Sequence, residues 1–202
     1  MKSIKAFYLV KVALFSAIAF IVAIIEFPVI FLPGFYKLDL SESITLIAGF
    51  SLGPMGGFLT EIIKIVLLFV LKGSLTMGIG EIANFIVGIA LVIPAACIYK
   101  NNRTFKSAVL GMVLGGICSI IVSAFLNYYV LFPLYIRVFS VSELEFINIA
   151  KSVNNNINNL ASLVLLATIP FNVLKVVISC LLSILLYKRL SGIINKVYGN
   201  MR

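Results

Sequence analysis

The sequence predicts an all-α integral membrane protein that crosses the bilayer six times, with both termini on the cytoplasmic side. Three observations carry that prediction. Of 202 residues, 62% are hydrophobic and only 11% are charged, too little polar surface to dissolve a globule of this size. Apolar stretches near the roughly 20 residues needed to cross about 30 Å of hydrocarbon recur along nearly the whole chain. The basic residues fall at alternating turns: Lys2, Lys5 and Lys11, then Lys100, Arg103 and Lys106, then Lys188, Arg189, Lys196 and Arg202, where the positive-inside rule places cytoplasmic loops. The net charge of +9 is therefore topological, and no nucleic-acid surface is expected.

The crossings follow from the breaks between them, as one transmembrane domain over 1–202. The first, about 6–26, follows a short basic start, lacks a small-residue cleavage pattern and runs directly into Glu26-Phe27-Pro28. It reads as a retained helix rather than a secretory signal. The second and third, about 42–53 and 55–71, flank Gly53-Pro54-Met55-Gly56-Gly57. That is a tight cytoplasmic turn in which proline stops the helix and two glycines supply positive φ. A polar outer turn, Lys72 to Gly80, leads into the fourth at about 80–99, and the basic 100–106 loop leads into the fifth at about 107–129. The last, about 170–189, has Pro170 in its first turn, where a missing N–H costs nothing.

The outer connections are long. Residues 27–41, FPVIFLPGFYKLDLS, are too apolar for a solvated loop and too broken for a helix, and read as a lid. The other opens with the interfacial aromatics NYYVLFPLY from Asn127 and makes 130–169 a long outer segment ending in VNNNINN and a final apolar run. Loops beyond about 15 residues are usually functional or disordered.

Polar residues inside apolar helices are expensive, roughly 2.5–3.5 kcal/mol for a lysine at the bilayer centre, and mark functional positions. Lys175, in IPFNVLKVVISC, shares a helix face with Asn172 and Ser179. Its alternative is to snorkel outward along its methylene stem. Glu81 and Asn84, three apart in GEIAN, and Asn127 at the end of the fifth helix lie in the same outer half, with Lys37-Leu38-Asp39 in the lid. For Glu81 and Asn84 the competing role is helix capping. Together these groups describe an outward-facing cavity for a neutral, flat, hydrogen-bonding molecule. Glu61 and Lys64, three apart in mid-membrane, read as a mutually neutralising pair. Ala13 and Ala17 form a small-residue face that lets another helix approach.

Cys97, Cys118 and Cys180 are isolated in apolar segments and histidine is absent, so neither a metal centre, a disulfide framework nor Ser-His or Cys-His hydrolysis is expected. No cofactor is implied.

In order and spacing, KLDLSESITLIAGFSLGPMGG, GSLTMGIGEIANFIVG, NYYVLFPLY and PFNVLK resemble the substrate-binding S components of energy-coupling factor (ECF) vitamin transporters, most closely the riboflavin-specific ones. One departure is that Glu42-Ser43-Ile44 lacks the proline that often follows the lid acid in that family. The resemblance implies a multi-pass protein of the bacterial cell membrane that captures riboflavin from outside. It also implies partners, a transmembrane coupling protein (EcfT type) and two ATPase subunits (EcfA type). Within this chain no Gly-x-x-x-x-Gly-Lys-Ser/Thr loop occurs, so ATP hydrolysis would belong to those partners. Carried over by position, Asn127, Asn172 and Lys175 would hold the flavin ring. Leu38 and Asp39, with Glu81 and Asn84, would take the ribityl hydroxyls, and Ala13 and Ala17 would meet the coupling protein. The rival readings are an S component for thiamine, pantothenate or folate, an ion-coupled secondary transporter using Glu61 and Lys64, and an intramembrane enzyme using Glu61 or Glu81.

Overall fold

The structure, a computed structural model, describes residues 2–34, 36–74 and 76–199, with side chains over 6–34, 36–74 and 76–187. Lys2, Lys5, Lys188, Arg189, Lys196 and Arg202, part of the charge argument for orientation, lie outside the described side chains. The elements are α1 (Lys2–Ile24), β1 (Phe27–Pro28), β2 (Lys37–Leu38), α2 (Ser41–Leu52), α3 (Pro54–Leu67), α4 (Ile79–Asn101), α5 (Phe105–Leu126), α6 (Phe132–Val138), α7 (Glu143–Lys151), α8 (Leu160–Leu163) and α9 (Ile169–Gly199). Among the described residues, five helical segments are long and apolar enough to span a bilayer: Ala6–Ile24, Pro54–Lys72, Ile79–Asn101, Phe105–Val138 and Leu160–Tyr187.

The expected second crossing differs from these. With 12 residues, α2 is about 18 Å long at 1.5 Å per residue, short of a bilayer, and almost all of it is buried. It forms a hairpin with α3 around Gly53, whose φ of 82° suits a residue without Cβ. Gly56 and Gly57, expected to shape that turn, instead lie inside α3. A Cβ on Gly57 would come within 3.0 Å of the Gly49 Cα, so the glycines serve close helix approach. Residues equidistant from Gly53 meet in this hairpin: Gly49 faces Gly57, and Glu42 faces Lys64.

The outer segment also differs from expectation. The fifth helix does not stop near 129 but continues through a π-helical turn, Asn127–Leu131, into α6. The last helical path begins nine residues before Ile169, at α8, and reaches α9 through a second π-turn, Val164–Thr168. Each π-turn ends two residues before a proline, Pro133 or Pro170. Proline removes one ladder hydrogen bond and its ring crowds the carbonyl four residues earlier, and the wider π-turn absorbs the misfit. Pro170 therefore sits within a continuous helical path and not at a helix start. The lid is a small antiparallel hairpin, with Phe27 opposite Leu38 and Pro28 opposite Lys37.

Two apolar cores result. One lies at the lid end and contains Tyr36, Phe132, Ile147, Ile157, Leu163 and Phe171. The other, toward the far end, contains Leu46, Phe50, Leu91, Val92, Tyr99 and Met112. Along α9, Phe171 belongs to the first and Val176 to Tyr187 pack on the second, so Asn172 and Lys175 fall at the boundary. A polar layer occupies that boundary.

Candidate substrate-binding site

The polar layer is a closed ring of charges contributed by the lid, α2, α3 and α9. Lys175 does not snorkel. It is 7% exposed, and its Nζ donates to Asp39 Oδ2 at 3.0 Å and lies 3.8 Å from Glu42 Oε1. Asp39 Oδ1 accepts from the Ser41 backbone N–H at 3.0 Å and from the Ser41 hydroxyl. Ser41 Oγ in turn accepts from Lys64 Nζ at 3.2 Å. Lys64 Nζ returns to Glu42 Oε1 at 3.1 Å, closing the ring, and also lies 2.7 Å from Glu61 Oε1. The expected Glu61–Lys64 pair is present, with Glu42 as a third member. Thr45 Oγ1 donates to Glu42 Oε2 at 3.3 Å and fixes that carboxylate from its own helix.

Burial by itself would raise the carboxyl of Asp39, which lies in the lid outside the spans. The Lys175 and Lys64 ammoniums and the Ser41 hydroxyl overcome burial and hold Asp39 well below the usual carboxylate range. The lid is therefore closed by a charged pair. A second fastening is the Tyr36 hydroxyl, 2.6 Å from Thr168 Oγ1, with its ring centroid 5.0 Å from that of Phe171. Burial pushes the Tyr36 phenol above its ordinary range. Glu26 forms the third, 3.4 Å from Lys37 in β2 and 2.7 Å from Lys72 beyond α3.

Beneath the ring Glu42, Val87, Gly88, Ser119, Asn172 and Lys175 close over Leu91 and Val176, leaving a cavity of about 10 Å³, room for little more than a water molecule. Pockets that enclose drug-sized ligands have roughly 300–1,000 Å³, so the site is closed to a ligand of that size in this conformation. A Cβ on Gly88 would meet Glu61 Oε1 at 2.5 Å and Glu42 Oε2 at 3.1 Å, so only glycine lets α4 pass this close to the carboxylates.

The residues expected at the site are distributed as follows. Asn172 and Lys175 line the cavity, and Asn172 spends one amide hydrogen on the Thr168 carbonyl at 2.9 Å. Asn127 donates to the Ser123 carbonyl at 2.8 Å and lies two helical turns along α5 from the cavity-lining Ser119. Leu38 and Asp39 are in the lid, and only Asp39 joins the ring. Glu81 does not reach it. Its Oε2 accepts from Ser74 Oγ at 2.8 Å and Thr76 Oγ1 at 3.2 Å, which orders the turn before α4 as a cap does. Asn84 is exposed, one turn along α4 from Gly88. Ala13 and Ala17 are exposed, while Val12, Ser16 and Ala19 face the protein.

Sequence reasoning missed Glu42, Ser41, Ser119 and Ser123. The serines carried a signal, because Ser119, Ser123 and Asn127 recur every four residues in an otherwise apolar helix and so share one face. Ser123 Oγ is buried with no hydrogen-bond partner among the described residues, as is Ser179 Oγ on α9.

Comparisons with known proteins agree with this architecture. The sequence profile described as "ECF transporter, substrate-specific component" matches residues 7–187. The chain is 34% identical over 189 residues to "Riboflavin transporter RibU" of Staphylococcus aureus (strain TCH60), covering 94% of this chain and 93% of that protein. It is 34% identical over 128 residues to "Riboflavin transporter FmnP" of Bacillus subtilis (strain 168), covering 63% of this chain and 67% of that one. A solved structure described as "Structure and mechanism of the S component of a bacterial ECF transporter" superposes with a TM-score of 0.73 at 32% identity, over 94% of this chain and 98% of that one. An α-helical membrane fold, a buried polar layer under a lid and these likenesses lead to one conclusion: the chain belongs to the substrate-specific components of ECF transporters, multi-pass membrane proteins that bind cargo for a separate energy-coupling module.

Proposed function

We propose that this chain is the riboflavin-capturing subunit of its transporter. The observation that carries the reading is the placement of Asn172 and Lys175, which turn inward from an apolar helix to line one cavity beneath the lid. Riboflavin has an apolar dimethylbenzene end and a pyrimidine edge that alternates carbonyl acceptors with an N–H donor. An asparagine amide offers both roles and an ammonium offers donors. Asn127, Asn172 and Lys175 would take the ring edge. The lid backbone at Leu38 and Asp39, with Asn84 at the mouth, would take the ribityl hydroxyls. Leu91, Val87 and Val176 would pack on the ring.

The lid faces outward in this reading, with both termini inside, because Lys100 at the end of α4, Arg103 on the connection and Lys106 at the start of α5 are all exposed. The partners are one coupling protein and two ATPase subunits. The exposed Ala13 and Ala17 face of α1 receives the coupling protein, since small side chains let a second helix come close. Reorientation driven by ATP turnover in the partners would then release the cargo inside.

The test is the visible absorption spectrum of the protein purified in detergent, followed by riboflavin titration of the ligand-free form with flavin fluorescence as readout. Quenching at one-to-one stoichiometry, lost in Lys175→Ala, is expected. A colourless protein that leaves riboflavin fluorescence unchanged would overturn the reading.

A further inference from the structure

The charge ring contains an asymmetry that ligand capture alone does not require. Lys175 has two carboxylate neighbours on elements of very different attachment. Asp39 belongs to the lid and lies 3.0 Å away, while Glu42 belongs to the α2–α3 hairpin and lies 3.8 Å away. Glu42 is 3% exposed and is held by Lys64 at 3.1 Å and Thr45 at 3.3 Å. Asp39 is held by Lys175 and by local hydrogen bonds from Ser41, two residues along. If the lid swings away, Asp39 leaves with it and Glu42 does not.

We propose that Glu42 is a positioning residue for substrate binding, the fixed counter-charge that keeps the Lys175 ammonium in the cavity when Asp39, the releasable latch of the lid, lets go. The inference rests on the riboflavin reading for its ligand but not for its geometry. An ammonium whose sole buried carboxylate departed would be left uncompensated, which is strongly unfavourable. The second carboxylate removes that penalty, so the lid opens without Lys175 following it. Lys64 completes the arrangement. It binds Glu42 and Glu61 directly and reaches Asp39 only through Ser41, the first residue of α2, so its own contacts stay in place when Asp39 leaves.

Asp39→Asn and Glu42→Gln each remove one negative charge from the same ring, so a difference between them reflects position and not net charge. Asp39→Asn keeps an amide oxygen for the Ser41 cap but cannot accept from Lys175 through the amide nitrogen. Riboflavin association should quicken about tenfold in this variant, because the open state is more populated. Glu42→Gln should instead speed dissociation about tenfold, as expected when one partner of a buried charge pair is lost. The measurement is stopped-flow flavin quenching with protein in nanodiscs. Equal effects of both variants on the same rate constant, or no effect of either, would overturn the proposal. If Glu42→Gln does not fold, Thr45→Val, which removes the hydroxyl shared between the Glu42 carboxylate and its backbone carbonyl and leaves the charge in place, should move dissociation in the same direction, and an unchanged rate would count against the proposal. Should the wild type fail to bind riboflavin, the functional reading falls and the latch is decided without ligand. Hydrogen–deuterium exchange over residues 27–40 should quicken in Asp39→Asn and stay at the wild-type rate in Glu42→Gln, and any other pattern would overturn it.

Discussion

Replacing Lys64 with methionine tests whether the ring holds the fold together. Lys64 is 1% exposed and its Nζ lies 2.7 Å from Glu61, 3.1 Å from Glu42 and 3.2 Å from Ser41 Oγ. Without it, Glu42 retains Lys175 at 3.8 Å, but Glu61 has no other cation within 4 Å among the described residues. Removing one partner of a buried pair costs about 3–5 kcal/mol, because the remaining charge is left without compensation. A protein of this length shifts its midpoint by about 2–4 °C per kcal/mol, so Lys64→Met should melt about 6–20 °C below the wild type. The assay is thermal unfolding in detergent. Adding Glu61→Leu should recover part of that loss, since an apolar pair replaces a stranded carboxylate, while the share owed to Glu42 remains. A single variant that loses less than about 1 kcal/mol, the value of an exposed pair, would refute the reasoning. So would a double variant no more stable than the single one.

Three further expectations follow from particular contacts. Gly88→Ala puts a methyl 2.5 Å from Glu61 Oε1 and should cost about 1–3 kcal/mol by overpacking; an unchanged melting temperature would contradict the close approach. Tyr36→Phe removes the 2.6 Å contact to Thr168 and should cost about 1–3 kcal/mol by leaving a buried hydroxyl short of a partner, read as faster amide exchange in the lid. At the start of α7, the Ser142 N–H and hydroxyl donate to Glu145 and lower its pKa below the ordinary 4.5. Because the folded value is depressed, this cap contributes fully above that ordinary value and is lost as pH falls through the folded one. Protection of the Glu145 amide, taken against its intrinsic exchange rate at each pH, should fall on acidification, and Ser142→Ala, which keeps the N–H donor but loses the hydroxyl, should weaken that pH dependence.

The membrane character of the chain, the break at Gly53 and most of the polar residues worth attention are properties of its sequence alone. Composition and the spacing of apolar runs report burial in lipid, which is a local and additive property, and the inward turn of Asn172 and Lys175 follows from helical periodicity with the cost of charge in hydrocarbon. Tertiary structure decided which charges meet. In sequence Glu42 is one acid at the start of the second crossing, and only the α2–α3 hairpin, folded about Gly53 and packed through Gly49 and Gly57, carries it to Lys64 and Lys175. Glu81 and Lys175 are both charges near helix ends, yet one closes its own turn and the other crosses to the lid. Their sequence signals are alike, because an ion pair depends on separations across the fold while helix periodicity constrains only neighbours a few residues apart. The π-turns before Pro133 and Pro170 carry the same lesson, since proline announces a disturbed helix while packing at the lid end decides that the helix widens and continues.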